Sequence, residues 1–258
     1  MKYDLKIAWM YPDLMSTYGD RGNVIVLQKR CLWRGIGATI IPITIETSVK
    51  RLGECDLIFM GGAQDRQQKL AAEDFLGNKG PMITSMVEKG IPALFVCAAY
   101  QFVGNYYRPY QGADIPGASI FDLVTIHPGD QAKRCIGNVM AEVTGIDLGG
   151  PSTSSGRLSS TIVGFENHGG RTRLGPKMKP LAKVVHGYGN NGEDGFEGAV
   201  YKNSVGSYFH GPLLPKNPMI ADWLIGKALE MKFGKSIPLA PFDDLLAQYA
   251  REAIVKRM

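Results

Sequence analysis

The sequence is short of the features that mark several large protein classes. It holds only four cysteines, Cys31, Cys55, Cys97 and Cys135, and no two of them form a C-x-x-C pair. That spacing excludes a common zinc frame and gives no disulfide framework, so reduced thiols are expected. No apolar run approaches the ~20 residues that span a bilayer. The opening Met1-Lys2-Tyr3-Asp4-Leu5-Lys6 has no signal-peptide core, and the expectation is a cytoplasmic protein. The formal net charge is +5, but Lys and Arg are scattered. Without a basic block there is no nucleic-acid or membrane tract. There is no Gly-x-x-x-x-Gly-Lys-[Ser/Thr] loop to cradle a nucleotide. No internal repeat, long low-complexity linker, metal motif or cofactor motif stands out.

What remains is the composition of a soluble globular chain: 258 residues, 45% hydrophobic and 21% charged. The 32 glycines cluster in short turns. Leu5 to Tyr11 reads as a first strand, followed by a polar loop over Pro12 to Asn23 at its carboxyl end. That edge is where ligands bind in open parallel sheets. Asn23 reads as the N-cap of a helix running to about Arg34. Asp20 reads as a loop or capping residue, with a ligand contact as the alternative.

Ala38–Ile43 and Asp56–Met60 read as the second and third strands. The third runs into Gly61-Gly62-Ala63-Gln64-Asp65-Arg66, then a helix holding Gln67, Leu70 and Phe75. Two glycines at a strand end let backbone N–H groups approach a ligand, which makes Gly61 and Gly62 oxyanion-hole candidates. A helix over about Pro81–Lys89 leads through Gly90-Ile91-Pro92 to the apolar run Ala93-Leu94-Phe95-Val96 and then to Cys97. The following residues, through Asn105, read as a helix. A cysteine at that joint sits on a nucleophile elbow, and the helix N-terminus favours its thiolate. The alternative is a buried cysteine that only fills space.

This strand–helix alternation predicts a doubly wound α/β fold with a mostly parallel central sheet flanked by helices. From Gly117 to Val205 the texture becomes β-rich. Ile120–Ile126, Val139–Val143, Thr161–Glu166 and Leu181–Val185 read as antiparallel additions returning to the main sheet. Pro151 to Gly156 reads as a flexible surface loop. A histidine, His210, stands at a further strand end. Cysteine and histidine far apart in sequence and close in space are what a thiol nucleophile requires. Helices are expected over about Pro218–Phe233 and from near Asp243 to the end. The last has an apolar stripe, Leu245, Leu246, Tyr249 and Ile254, with docking on the body as the expectation and docking on a partner as the alternative. The chain is expected to be one domain over 1–258, with the helix at about 243–257 as an appendage.

Five stretches carry a family resemblance: Gly61 to Gln68, Cys97 to Phe102, Gly164 to Thr172, Gly187 to Asn191 and His210 to Asn217. With Cys97 and His210 as anchors, the chain resembles class I glutamine amidotransferase domains, in the branch that includes the cobyric acid synthase amidotransferases. Within it, the likeness is to the amidotransferase subunits of lipid II isoglutaminyl synthases, and extends over roughly positions 5 to 235. The resemblance implies L-glutamine as substrate and no cofactor. Cys97 would be nucleophile and His210 the general base and acid, with Gly61, Gly62 and Ala98 holding the oxyanion. It also implies a heterodimer with a Mur-ligase-like ATP-dependent subunit, which meets lipid II and amidates its D-glutamate. By position, Arg134 matches the arginine that holds the glutamine α-carboxylate; a surface role is the alternative. Gln101 is expected to line the glutamine pocket, and His168 is an alternative base.

Two departures from the family are visible. Pro212 stands where many relatives carry the Glu of a triad, which predicts a Cys-His dyad or an unnamed third partner. Ala98-Ala99 stands where related subunits have two glycines, and alanine fits there only if the helix starts at once. A silent scaffold for a ligase, or a hydrolase of another amide, are the alternative functions.

Overall fold

The computed structural model describes residues 1–148 and 160–258, and at positions 65 and 66 the backbone alone. The expected loop at Pro151 to Gly156 lies outside the described residues.

The first half alternates as its apolar runs predict. It contains β1 (Asp4–Met10), α1 (Arg21–Leu32), β2 (Gly37–Ile43), α2 (Val49–Gly53) and β3 (Leu57–Met60). Next come α3 (Asp65–Asp74), a π-helical turn (Phe75–Lys79), α4 (Gly80–Glu88), β4 (Ala93–Val96) and α5 (Ala98–Phe102). The second half holds β5 (Tyr106–Arg108), β6 (Ile115–Pro116), β7 (Leu123–Ile126), β8 (Cys135–Val143) and β9 (Thr161–His168). It continues through β10 (Arg171–Leu174), β11 (Ala182–His186), β12 (Phe196–Glu197), β13 (Ala199–Tyr201) and β14 (Ser204–Ser207). Helices α6 (Leu213–Lys216), α7 (Pro218–Phe233) and α8 (Leu245–Val255) close it.

The main sheet has six strands in the order β13-β14-β4-β3-β1-β2. Its pairings are parallel except the edge pair β13–β14. Strands β3 and β4 are buried at every position, as strands covered on both faces must be, and that explains their unbroken apolar runs. One apolar cluster lies on each side. Met10, Ile58, Phe75, Phe95 and Tyr100 belong to one, and Leu27, Phe59, Leu94, Leu224 and Ile225 to the other.

The β additions differ from the expectation of a return to the main sheet. Among the described residues only β13 and β14 join it; the others form two separate four-stranded sheets, β10-β7-β5-β6 and β12-β11-β8-β9. Alternating strands of this kind bury one face each and build their own layer. The C-terminal helix also departs from expectation. Leu245, Leu246 and Tyr249 are 49%, 84% and 59% exposed, so most of that stripe faces solvent. The helix rests instead on β9, where Arg251 donates to the Thr161 carbonyl and hydroxyl. Among the described residues no helix is long and apolar enough to cross a membrane.

Candidate active site

The parallel strands deliver their carboxyl ends to one rim, and the chemistry gathers there. Cys97 follows β4 directly with φ +56° and ψ −108°, a conformation costly for a residue with a side chain. Its N–H donates to the Ser207 carbonyl at 2.9 Å, and its carbonyl accepts from Gln101 N, the first turn of α5. This is the strained strand-to-helix elbow that presents a nucleophile outward. The positive φ falls on Cys97 alone; Ala98 and Ala99 are already helical. Alanine is the best helix former, so replacing the family's glycines here leaves the turn intact.

His210 reaches the same rim from beyond β14. It is held by an isolated antiparallel bridge to Phe165 of β9, with bonds of 2.8 and 3.2 Å between the two backbones. The ring is fully buried, and Nδ1 lies 3.2 Å from Asp20 Oδ1. Nε2 makes no hydrogen bond among the described residues, and the Cys97 side chain adjoins the ring. Burial opposes a charged ring, but the Cys97 charge and the Asp20 hydrogen bond outweigh it and carry the His210 pKa up to about 10. A Cβ on Gly62 would come within 2.8 Å of His210 Cε1 and 3.2 Å of Cys97 Cβ. Only glycine leaves room for the two side chains to meet.

Asp20 therefore stands at the place open to the third partner that the sequence left unnamed. It precedes α1, and its other oxygen, Oδ2, accepts the Gly62 N–H at 2.7 Å. Three contacts fix this corner. Pro212 packs on Gly22, where a Cβ would meet Pro212 Cγ at 2.4 Å. Asn23 Oδ1 accepts from Leu214 N at 2.8 Å, so Asn23 serves α6 and is not the N-cap of α1. Asn217 ties the same segment to Val163 of β9 through bonds of 2.8 and 2.9 Å. The run His210 to Asn217 thus docks α1 against the histidine. The usable signals in the sequence were a carboxylate in the loop after β1 and the missing Glu at Pro212.

The glycine turn departs from the expected oxyanion role at Gly62. The Gly62 amide is engaged by Asp20, and both Gly61 and Gly62 are buried behind the cleft wall. The residues of this turn that line the cleft are Ala63 and Gln64, alongside Cys97 and Ala98. The backbone of this turn that can face an oxyanion beside Ala98 is thus that of 63–64, two residues on from the expected pair.

The cleft has a volume of about 970 Å³ and also brings in Arg134, Gln101 and His168. Arg134 grips Asn167 by Nε and Nη2, at 3.1 and 3.0 Å from Oδ1. Gln101 is buried and its amide is fixed between Gln68 and Tyr208, at 3.1 and 3.3 Å. His168 stacks on Tyr208 at 3.7 Å between ring centres, and its Nδ1 is 2.8 Å from the Gly170 carbonyl. It lines the cleft, but it is His210 that shares the Cys97 corner. Among the described residues no group of His, Cys, Asp or Glu side chains is arranged to hold a metal ion.

A cysteine elbow, a histidine and a carboxylate at the rim of such a sheet define a thiol amidohydrolase of the amidotransferase type. The chain belongs to the CobB/CobQ-like glutamine amidotransferase domain family, whose model matches residues 6–218. Over 257 residues it is 37% identical to a Staphylococcus aureus protein, the GatD subunit of lipid II isoglutaminyl synthase (glutamine-hydrolyzing). That match covers 99% of this chain and 96% of the relative. The Streptococcus pneumoniae protein of the same name is 35% identical, over 97% and 90% of the two chains. Among solved structures, PurLQS from Thermotoga maritima matches with a TM-score of 0.57 at 14% identity. It covers 91% of this chain and 100% of that one, which supports the fold alone.

Proposed function

We propose that this chain is one amidotransferase domain acting as the glutamine-hydrolysing subunit of a lipid II isoglutaminyl synthase. The observation that carries the chemistry is Cys97 on a strained elbow beside a buried His210 that is oriented by Asp20. In this reading Cys97 attacks the side-chain amide carbon of glutamine. His210 Nε2 takes the thiol proton and returns it to the leaving ammonia. Asp20 holds Nδ1–H and so keeps Nε2 facing the sulfur. The tetrahedral oxyanion is met by the Ala98 N–H at the start of α5, with amides of the Ala63–Gln64 turn completing the hole. Water then hydrolyses the thioester and releases glutamate. Arg134 receives the α-carboxylate, and Gln101 shapes the pocket floor.

The likeness to the two GatD subunits over nearly their whole length supports the physiological setting. Ammonia would pass to a Mur-ligase-like partner that activates the D-glutamate carboxyl of lipid II with ATP, in a cytoplasmic heterodimer. Ala98 and Ala99 sit in regular helix, which supports a working glutaminase over a silent scaffold.

The experiment is ammonia release from glutamine by the chain together with its partner. Cys97→Ser is expected to abolish it, and a glutamine-like electrophile is expected to label Cys97. Ammonia release that survives the substitution excludes Cys97 as the nucleophile.

A further inference from the structure

One amide side chain ties together three parts of the cleft that are far apart in sequence. Asn167 lies near the end of β9, paired with Ile136 of β8. Its Oδ1 accepts from both Nε and Nη2 of Arg134, and its backbone carbonyl accepts from Nη2 at 3.4 Å. Its Nδ2 donates to the Tyr18 hydroxyl at 2.9 Å. Tyr18 stands edge-on to His210, with ring centres 5.0 Å apart. It is held at φ +54°, where a tyrosine is unfavourable without outside support. All three residues line the cleft that contains Cys97.

We propose that Asn167 is a positioning residue for substrate selection: by holding the Nε and Nη2 edge of Arg134 it presets Nη1 for the glutamine α-carboxylate, and it pins Tyr18 beside His210.

The argument rests on the donor inventory of arginine. A guanidinium is planar, and its N–H groups point in fixed directions. Asn167 takes up the Nε and Nη2 edge. Nη1 has no protein partner among the described residues and lies near Gly169, in the same cleft. A side chain as long as arginine loses much rotamer freedom when it binds a ligand. Here Asn167 has already imposed that order, so the carboxylate meets a preset donor. An asparagine suits this task because it is neutral. An aspartate would compete with the substrate for the same guanidinium charge. The opposite end of the amide reaches Tyr18, and seating of the α-carboxylate is thereby coupled to the wall of the reaction centre.

This inference rests on the reading of Arg134 as the carboxylate receptor, and the test separates the two. Hydrolysis of glutamine is compared with hydrolysis of its α-methyl ester, which keeps the side-chain amide and lacks the carboxylate. Both are measured with the full chain in complex with its partner. Asn167→Ala is expected to raise KM for glutamine by about tenfold while kcat stays within about threefold. The ester should be almost unaffected, so the preference for the free acid falls. Asn167→Asp, which alters the fold least, should lose the same preference. Equal losses on both substrates, or an unchanged preference, would overturn the proposal. If Arg134→Ala leaves the preference intact, the Arg134 reading itself fails. If Arg134→Ala removes it and both Asn167 variants do not, only the role of Asn167 is wrong.

Discussion

A carboxylate 3.2 Å from Nδ1 of a buried imidazole decides which nitrogen carries the proton. With Asp20 accepting from Nδ1–H, Nε2 is left to hold the proton taken from Cys97 and, once that proton has gone with ammonia, to present its lone pair to the attacking water. Asparagine at this position would offer N–H to Nδ1 and force the wrong tautomer. Asp20→Asn is therefore expected to lower kcat by about 10²–10⁴. The Gly62 N–H can still find an oxygen acceptor, so the fold should survive, as circular dichroism would check. The His210 pKa is carried from 6.5 to about 10 against burial, first by the Cys97 charge and then by the hydrogen bond and charge of Asp20, and the substitution removes the Asp20 share. The sign follows from that shift. The stabilisation of charged His210 is complete below pH 6.5 and is lost as pH rises through about 10. Hydrolysis needs that proton for the departing ammonia, so the alkaline limb of kcat/KM should move to lower pH in the variant. An unmoved limb would show that Asp20 does not act on the histidine. Asp20 was hard to find from sequence because its partner is 190 positions away. The elbow cysteine was visible because strand, turn and helix are local.

At the scale of elements, α1 joins the reaction centre to the C-terminal arm. Asp20 stands at its start, and Arg30 and Arg34 stand near its end. Arg30 is almost fully buried between Asp222 and Asp244, with contacts of 2.6 and 2.5 Å. Arg34 adds Asp222 at 2.9 Å and the Ala240 carbonyl at 2.8 Å, and Phe242 stacks on Trp33. Arg30→Met leaves both aspartates without this partner and is expected to cost about 3 kcal/mol, the low end for breaking a buried pair. The aspartates are partly exposed, which limits the loss. Hydrogen exchange over 236–258 should speed up, while hydrolysis changes little because Gly22 and Asn23 still anchor the other end of the helix. Exchange no faster than in the parent protein would show that the arm is held by other contacts. The elements themselves were unequally legible. The strands β1 to β4 and helix α7 announce themselves by apolar runs and helical composition, since both ends of each signal lie in one window. Strands β5 to β12 range from two residues in β6 and β12 to nine in β8, and several have partners far off in sequence, as β10 has in β7. Their existence could be read, but which sheet each would join depends on pairings such as Cys135 with His168 that no local pattern encodes. The apolar stripe of α8 misled for a related reason: periodicity shows an amphipathic face and is silent on what covers it.

At the scale of the whole molecule, the site is backed by buried polar groups that make its stability depend on pH. Glu197 is fully buried, and its Oε1 accepts from Ser207 Oγ and Tyr208 N, at 2.7 and 2.8 Å. These contacts shape the chain just before His210. Oε2 has no hydrogen-bond partner among the described residues. Burial, added to by the charge of Glu166, lifts the Glu197 pKa from 4.5 to about 7, although its hydrogen bonds pull the other way. A folded-state pKa above the unfolded one means that folding favours the protonated acid. That contribution is complete below pH 4.5 and is lost as pH rises through about 7. Above that range the protein carries a buried charge that it accommodates poorly. Glu197→Gln keeps an oxygen acceptor for Ser207 and Tyr208 and cannot ionise. The Tm of the variant relative to the parent should therefore rise between pH 4.5 and about 7 and level off above it. Every other titrating group is common to both proteins and cancels in the difference. A difference in Tm that stays flat across this range would mean that Glu197 titrates as it does in the unfolded chain. The carboxylate would then be paired or hydrated in solution, and the rigidity of the segment leading to His210 would need another source.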